Sequence, residues 1–158
     1  FNLTKPLNSY VMIKEFRGKT KWLSNFSPVK IVIDGIEYPS TEHAYMSAKC
    51  ANPTWKKVCA NETITCGQIK FLGSTVKLVD NWNDIKLGVM TECVNQKFAQ
   101  QPYRDLLLAT GDQFLQEGNN WGDLIWGVDI ETGEGQNLLG KLIMEFSETL
   151  IMEFRETL

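Results

Sequence analysis

Pro39-Ser40-Thr41-Glu42-His43-Ala44-Tyr45-Met46-Ser47-Ala48-Lys49 is the stretch around which the chemistry of this chain gathers. Proline is barred from a helix interior, and Ser40 or Thr41 offers a side-chain oxygen to the first unpaired backbone N–H groups, so a helix begins here. Glu42 then falls in its first turn. At about 100° per residue, Glu42, Tyr45, Met46 and Lys49 line one stripe, with acid and amine roughly 10 Å apart along the axis. Two readings of that stripe stand side by side. It is an amphipathic helix whose long polar side chains reach back to water, or a face that holds an acid and an amine for reaction. The single histidine of the chain, His43, directly follows Glu42.

Upstream, Val29-Lys30-Ile31-Val32-Ile33 and Ile36-Glu37-Tyr38 flank Asp34-Gly35. Both residues of that dipeptide tolerate positive φ, so a type I′ hairpin delivers the chain to Pro39. Trp22-Leu23-Ser24-Asn25-Phe26-Ser27-Pro28 mixes large rings with loop formers, which suits a segment pinned by its rings with its polar groups left available; a plain structural loop reads the same way. Tyr10 to Phe16 is rich in strand formers and closed by Arg17-Gly18-Lys19, while residues 1–9 form an arm without a pattern of its own.

Downstream, Asn52-Pro53-Thr54 stops the helix, Trp55 to Ala60 forms a short one, and Asn61 to Thr75 reads as short helices and loop. From Asp80 to Gln100, Ile85, Val89, Met90, Cys93, Val94 and Phe98 recur at three- and four-residue spacing, which marks one buried helix face ended by Pro102. Trp82, at its start, reads as core packing in preference to a base-stacking ring. Tyr103 to Thr110 is a further helix, closed by Gly111. Gln113 to Gln116 and Leu124 to Val128 read as strands separated by Glu117-Gly118-Asn119-Asn120-Trp121-Gly122. Gly133-Glu134-Gly135 precedes a helix starting near Gln136. Two glycines there permit close approach to an anion at the positive helix end, and they equally serve a plain turn. The spacing is not Gly-x-Gly-x-x-Gly after a strand, so a dinucleotide fold is not supported.

The chain ends in a direct repeat, in which Ile143-Met144-Glu145-Phe146-Ser147-Glu148-Thr149-Leu150 is followed by Ile151-Met152-Glu153-Phe154-Arg155-Glu156-Thr157-Leu158. Only Ser147 and Arg155 differ. The unit is too short for a solenoid and reads as a tandem duplication, with the first copy docked and residues 151–158 extending the helix beyond it.

The 158 residues, 43% of them hydrophobic, make one globular domain over 1–158 with a single core. Hairpin and helices come in separate runs without βα alternation, so the fold class is α+β, a small sheet with a β-hairpin packed by several helices. Nineteen acidic against sixteen basic side chains give a net charge of −3, which argues against a surface gripping nucleic acid through many phosphates. Four cysteines without a Cys-x-x-Cys pair, beside one histidine, make a metal site improbable, so no metal and no cofactor are expected and the thiols read as reduced and mostly buried. No apolar run approaches about 18 residues, and no leader pattern is present, so no membrane span and a cytoplasmic location are expected.

The helix from Glu42 to Lys49, with its Glu-His pair, aromatic and lysine, resembles that of the NADAR/YbiA-like family. Further blocks stand in that family's order: Leu23-Ser24-Asn25-Phe26, Lys97-Phe98, Leu106-Leu107-Leu108-Ala109-Thr110, Glu117 with Asp123-Leu124-Ile125-Trp126-Gly127, and Gly133-Glu134-Gly135-Gln136-Asn137-Leu138-Leu139-Gly140. One departure is that relatives often carry glutamines where this chain has Met46, Ser47 and Ala48. The resemblance implies hydrolysis of an N-glycosidic bond. It makes Lys49 a Schiff-base nucleophile, Glu42 the proton carrier and Asp123 a second carboxylate, with Asn25, Phe26 and His43 bordering the pocket. Trp126, beside Gly127, would stack on a base, and Gly133, Gly135 and Asn137 would hold phosphate or ribose. The implied substrate is ADP-ribose on guanine bases in DNA, placed by DarT-type toxins of toxin–antitoxin systems. The alternatives are a nucleotide-like small molecule, namely the phosphorylated ribosylamino-pyrimidines of riboflavin synthesis, and a non-catalytic ADP-ribose-binding module.

Overall fold

The computed structural model describes residues 12–158; the expected N-terminal arm and the start of the Tyr10–Phe16 strand lie outside them. In chain order the elements are β1 (Met12–Ile13), a 3-10 turn (Gly18–Leu23), β2 (Pro28–Ile33), β3 (Ile36–Ser40), α1 (Thr41–Ser47), α2 (Pro53–Ala60), α3 (Cys66–Gly73), α4 (Trp82–Phe98), α5 (Tyr103–Ala109), β4 (Phe114–Leu115), β5 (Gly118–Asn119), β6 (Val128–Asp129) and α6 (Leu138–Glu156). The class is α+β, with short two-stranded sheets and helices in separate runs. The chain forms two compact units, Asn25–Lys97 and the remainder.

In the unit 25–97, β2 and β3 pair antiparallel around Asp34-Gly35, both residues at positive φ as the turn requires. Period-two alternation puts Val29, Ile31 and Tyr38 inside. The hairpin leads into α1, capped by Ser40, whose Oγ accepts the His43 N–H at 3.0 Å. All seven residues of α1 are buried, so it is a core helix and not the amphipathic surface helix that one reading of its stripe offered. Asn52 caps α2 with Pro53 in its first turn, and the Trp55 indole of α2 donates to the Met46 carbonyl at 2.8 Å. Within 61–75, α3 starts on a capping box made by Thr65 and Gln68. On α4, Met90, Cys93 and Val94 are buried, on the face that the periodicity marks.

In the other unit, β1 runs parallel to β4, and β5 parallel to β6. Phe98 packs edge-on between Trp22 and Tyr103 at 6.4 and 6.3 Å. The strand expected over Leu124 to Val128 is not formed as such; only Val128–Asp129 pairs. Its apolar residues misled, because Leu124 and Ile125 are exposed and the carbonyls of 124–127 serve α6 instead. α6 contains the first copy of the terminal repeat and the second up to Glu156. The first buries Ile143, Met144, Ser147 and Leu150, whereas Met152, Phe154 and Leu158 of the second are exposed. The single mismatch falls on a buried position: Ser147 is 1% exposed, and its counterpart is Arg155. A guanidinium there would be a buried charge, so only the first copy suits the docked register.

Candidate functional site

The residues singled out by sequence divide between the two units. Asn25, Phe26, Glu42, His43 and Lys49 lie in 25–97, and Asp123, Trp126, Gly127, Gly133, Gly135 and Asn137 lie in the other.

At the start of α1, His43 is 4% exposed and both its ring nitrogens are engaged, Nδ1 at 2.6 Å from Ser40 Oγ and Nε2 at 2.6 Å from the Ile64 carbonyl. A carbonyl only accepts, so Nε2 carries the proton and Nδ1 accepts from the Ser40 hydroxyl. The same hydroxyl receives the His43 N–H and the Cys66 thiol, the latter at 3.3 Å. This network ties α1 to the segment before α3. Both ring nitrogens of His43, expected at the pocket, are thus engaged within the fold, an arrangement that positions the start of α1.

Glu42 follows the cap, 6% exposed, in the first turn where helix polarity favours a carboxylate. Its N–H donates to the Asn25 carbonyl at 3.1 Å, and the Asn25 amide points at Met90 Sδ, 3.6 Å away. Phe26 is 46% exposed. Lys49 sits two residues beyond α1 and is half-buried. Its N–H bonds the Met46 carbonyl at 3.2 Å, and its own carbonyl accepts from Val79 at 2.8 Å. The Lys49 ammonium lies 6.0 Å above the Trp82 ring, which packs on Tyr45 at 5.2 Å. Burial lowers the basicity of Lys49; the Glu42 charge opposes that shift, and Lys70 and Lys86 add to it. A second buried lysine, Lys97 on the last turn of α4, is pushed down to about 7 by burial alone. At 1% exposure it is closed to substrate, whereas Lys49 is only half-buried.

In the other unit, Asp123 Oδ1 accepts the N–H groups of Ile125 and Trp126 at 3.1 and 2.9 Å, an Asx turn. The Asn119 side chain holds the backbone of Asp123 on both sides. Gly127 and Gly135 are required by close approach: a Cβ on the first would run into the Glu117 carbonyl, and on the second into the Gly127 carbonyl. Around Gly133, Gly135 and Asn137, where an anion cradle is expected, most backbone N–H groups are paired within the fold. The N–H groups of Gln136, Asn137, Leu138 and Leu139 donate to the carbonyls of Leu124, Gly127, Ile125 and Trp126 at 2.8–3.1 Å, which closes the positive end of α6. The Gly133 N–H goes to the Asp129 carbonyl. Asn137, 4% exposed, uses its amide on Glu117 and Leu115. The loop also carries Asp129, whose carboxyl is held below its usual range by the Thr132 and Glu131 N–H groups. Among the described residues no cluster of histidine, cysteine and carboxylates is arranged to hold a metal ion, and no helix is long and apolar enough to cross a membrane. All four cysteines are free, with Cys59 and Cys93 buried.

A family model for the NADAR domain matches residues 12–151. This chain belongs to the NADAR domain family. It is similar to the N-glycosidase YbiA of Shigella boydii, 33% identical over 132 residues that cover 82% of this chain and 81% of that one. It is also similar to a riboflavin biosynthesis protein of Vibrio vulnificus, 34% identical over 82% of this chain but only 35% of the longer relative. The solved NMR structure of Escherichia coli YbiA superposes with a TM-score of 0.76 at 30% identity, covering 88% of this chain and 83% of that one. As a NADAR protein the chain is an enzyme of the N-glycosidase class. The sequence reading took Trp82 as core packing only, and it did not single out Lys70 and Lys86, whose charges act on Lys49. The signal was the Trp82/Lys86 pair one turn apart at the start of α4, which a core assignment for Trp82 concealed.

Proposed function

We propose that this NADAR protein hydrolyses the bond between C1 of a phosphorylated ribose and an amino nitrogen, with Lys49 as nucleophile and Glu42 as proton carrier. The observation that carries the reading is a half-buried lysine over Trp82, its basicity lowered by burial, within electrostatic reach of a buried carboxylate on the same helical stretch. The lone pair of the substrate nitrogen expels the ring oxygen as a hydroxyl, which leaves an open-chain imine. The neutral Lys49 amine adds to C1, and Glu42 delivers a proton to the departing base amine as the C1–N bond breaks. Water then adds to the Lys49 imine, returns a proton to Glu42 and frees the sugar as an aldehyde. One water is consumed, and both side chains are restored.

Two substrates contain this linkage. We take a phosphorylated ribosylamino-pyrimidine first, because the similar proteins are named N-glycosidase and riboflavin biosynthesis protein. ADP-ribose on guanine in DNA, the substrate that the resemblance put first, needs a site for a diphosphate, and most N–H groups of the backbone that argued for it at the start of α6 are already paired. The deciding assay offers the purified protein both substrates side by side. Release of ribose phosphate from the pyrimidine alone is the expected result, and cleavage of modified DNA alone reverses the order. Binding of ADP-ribose with turnover of neither would favour the non-catalytic module.

A further inference from the structure

Lys70 on α3 and Lys86 on α4 both act electrostatically on the Lys49 amine, just beyond α1. The Lys49 carbonyl is tied to Val79, whose own carbonyl receives the Trp82 N–H at 3.1 Å, so the start of α4 is fastened directly to Lys49. Lys86 lies four residues beyond Trp82, one turn along the same face, about 6 Å up the axis. Its ammonium is drawn back toward that turn by Asn83 Oδ1 at 3.3 Å. From the other side α3 packs on α1 without a spacer, because a Cβ at Gly73 would run into Met46 Sδ. Lys70 precedes Gly73 by three residues and so shares that side of α3. Both charges act on the Lys49 amine.

We propose that Lys70 and Lys86 form a phosphate subsite that takes the monoester group of the sugar whose C1 faces Lys49. This rests on the reading of Lys49 as the reacting amine, and it adds the anchor that a ribose phosphate requires. Two ammonium groups offer charge-assisted N–H donors to a dianion, and a bound phosphate offsets the two like charges gathered beside the half-buried Lys49 amine. It also puts phosphate recognition on side chains of the unit 25–97, where the closed end of α6 has no part in it.

Binding is read without turnover, so this test separates from that of the reaction. Ribitol 5-phosphate, which has no aldehyde to form an imine, is titrated into wild-type protein and into the Lys70→Gln/Lys86→Gln variant, with ribitol and ADP as companion probes and NMR shifts as readout. Lys70 is exposed and Lys86 partly so, and an unchanged Tm confirms that the variant folds. The expected result is saturable binding of ribitol 5-phosphate that weakens by about tenfold to a hundredfold in the variant, in line with loss of charge-assisted hydrogen bonds. Ribitol should bind poorly to both proteins. Equal affinity of the two proteins for ribitol 5-phosphate, or no binding by wild type, overturns the subsite. Lysine dependence confined to ADP overturns its assignment to a monoester.

Discussion

The start of α1 and the start of α6 were both marked by sequence as places where a ligand meets a helix, and they end differently. At α1 the cap is short-range: Ser40 and His43, three residues apart, satisfy one another and the first turn, which leaves the Glu42 carboxylate and the Lys49 amine facing each other electrostatically. At the start of α6 the N–H groups are consumed by carbonyls of the upstream segment 124–127, and Asn137 turns its amide inward. Glycines before a helix are needed for backbone to approach closely. In this case the approaching backbone is the protein's own.

If α1 carries the chemistry and the α6 loop only architecture, substitutions should separate them. Lys49→Ala should remove turnover with the fold intact by circular dichroism, and Glu42→Gln should lower kcat by about two to four orders of magnitude as a lost proton carrier does. In the loop, Gly127→Ala should destabilise by about 1–3 kcal/mol through overpacking, read by denaturant melts. Gly133→Ala, at φ 75 with open space around it, should cost about 1 kcal/mol for its backbone alone and leave KM unchanged. A raised KM in folded Gly133→Ala would return the loop to the binding site.

A smaller effect concerns the second buried amine. Lys97 titrates near 7 in the fold against an ordinary 10.5, so between those values the unfolded chain binds more protons and stability rises with pH. The contribution is full above 10.5 and lost as pH falls through about 7. The Lys97→Met variant should therefore show a flatter dependence of Tm on pH, with activity at its optimum retained if Lys97 takes no part in the reaction. Smallest of all, removal of residues 151–158 should leave Tm and rate nearly unchanged, because the docked copy ends at the buried Leu150. A large drop would show that the exposed copy supports the fold.

What was legible in the sequence was local. Asp34-Gly35 between alternating strands, Ser40 before Glu42, the α4 periodicity and Gly111 after α5 each have causes within a few residues, and each is formed. The run from Leu124 to Gly127 looked like a strand because its apolar residues matched one. Its partner turned out to be the N-terminus of a helix a dozen residues away, which no local pattern announces. Trp82 was read as core, and at 6% exposure it is buried; its second role, under Lys49, depends on the Val79 bond to the Lys49 carbonyl. The family blocks singled out Gly133 and Asn137 without revealing whether their polar groups face outward or inward.

The central claim is a covalent link between the sugar and Lys49. Borohydride added during turnover of a phosphorylated ribosylamine reduces a lysine imine to a stable secondary amine, which peptide mass mapping locates. The account predicts one sugar phosphate on the peptide that contains Lys49, absent in Lys49→Ala. Full turnover with no adduct, or an adduct carried by Lys70, Lys86 or Lys97 instead, would contradict it.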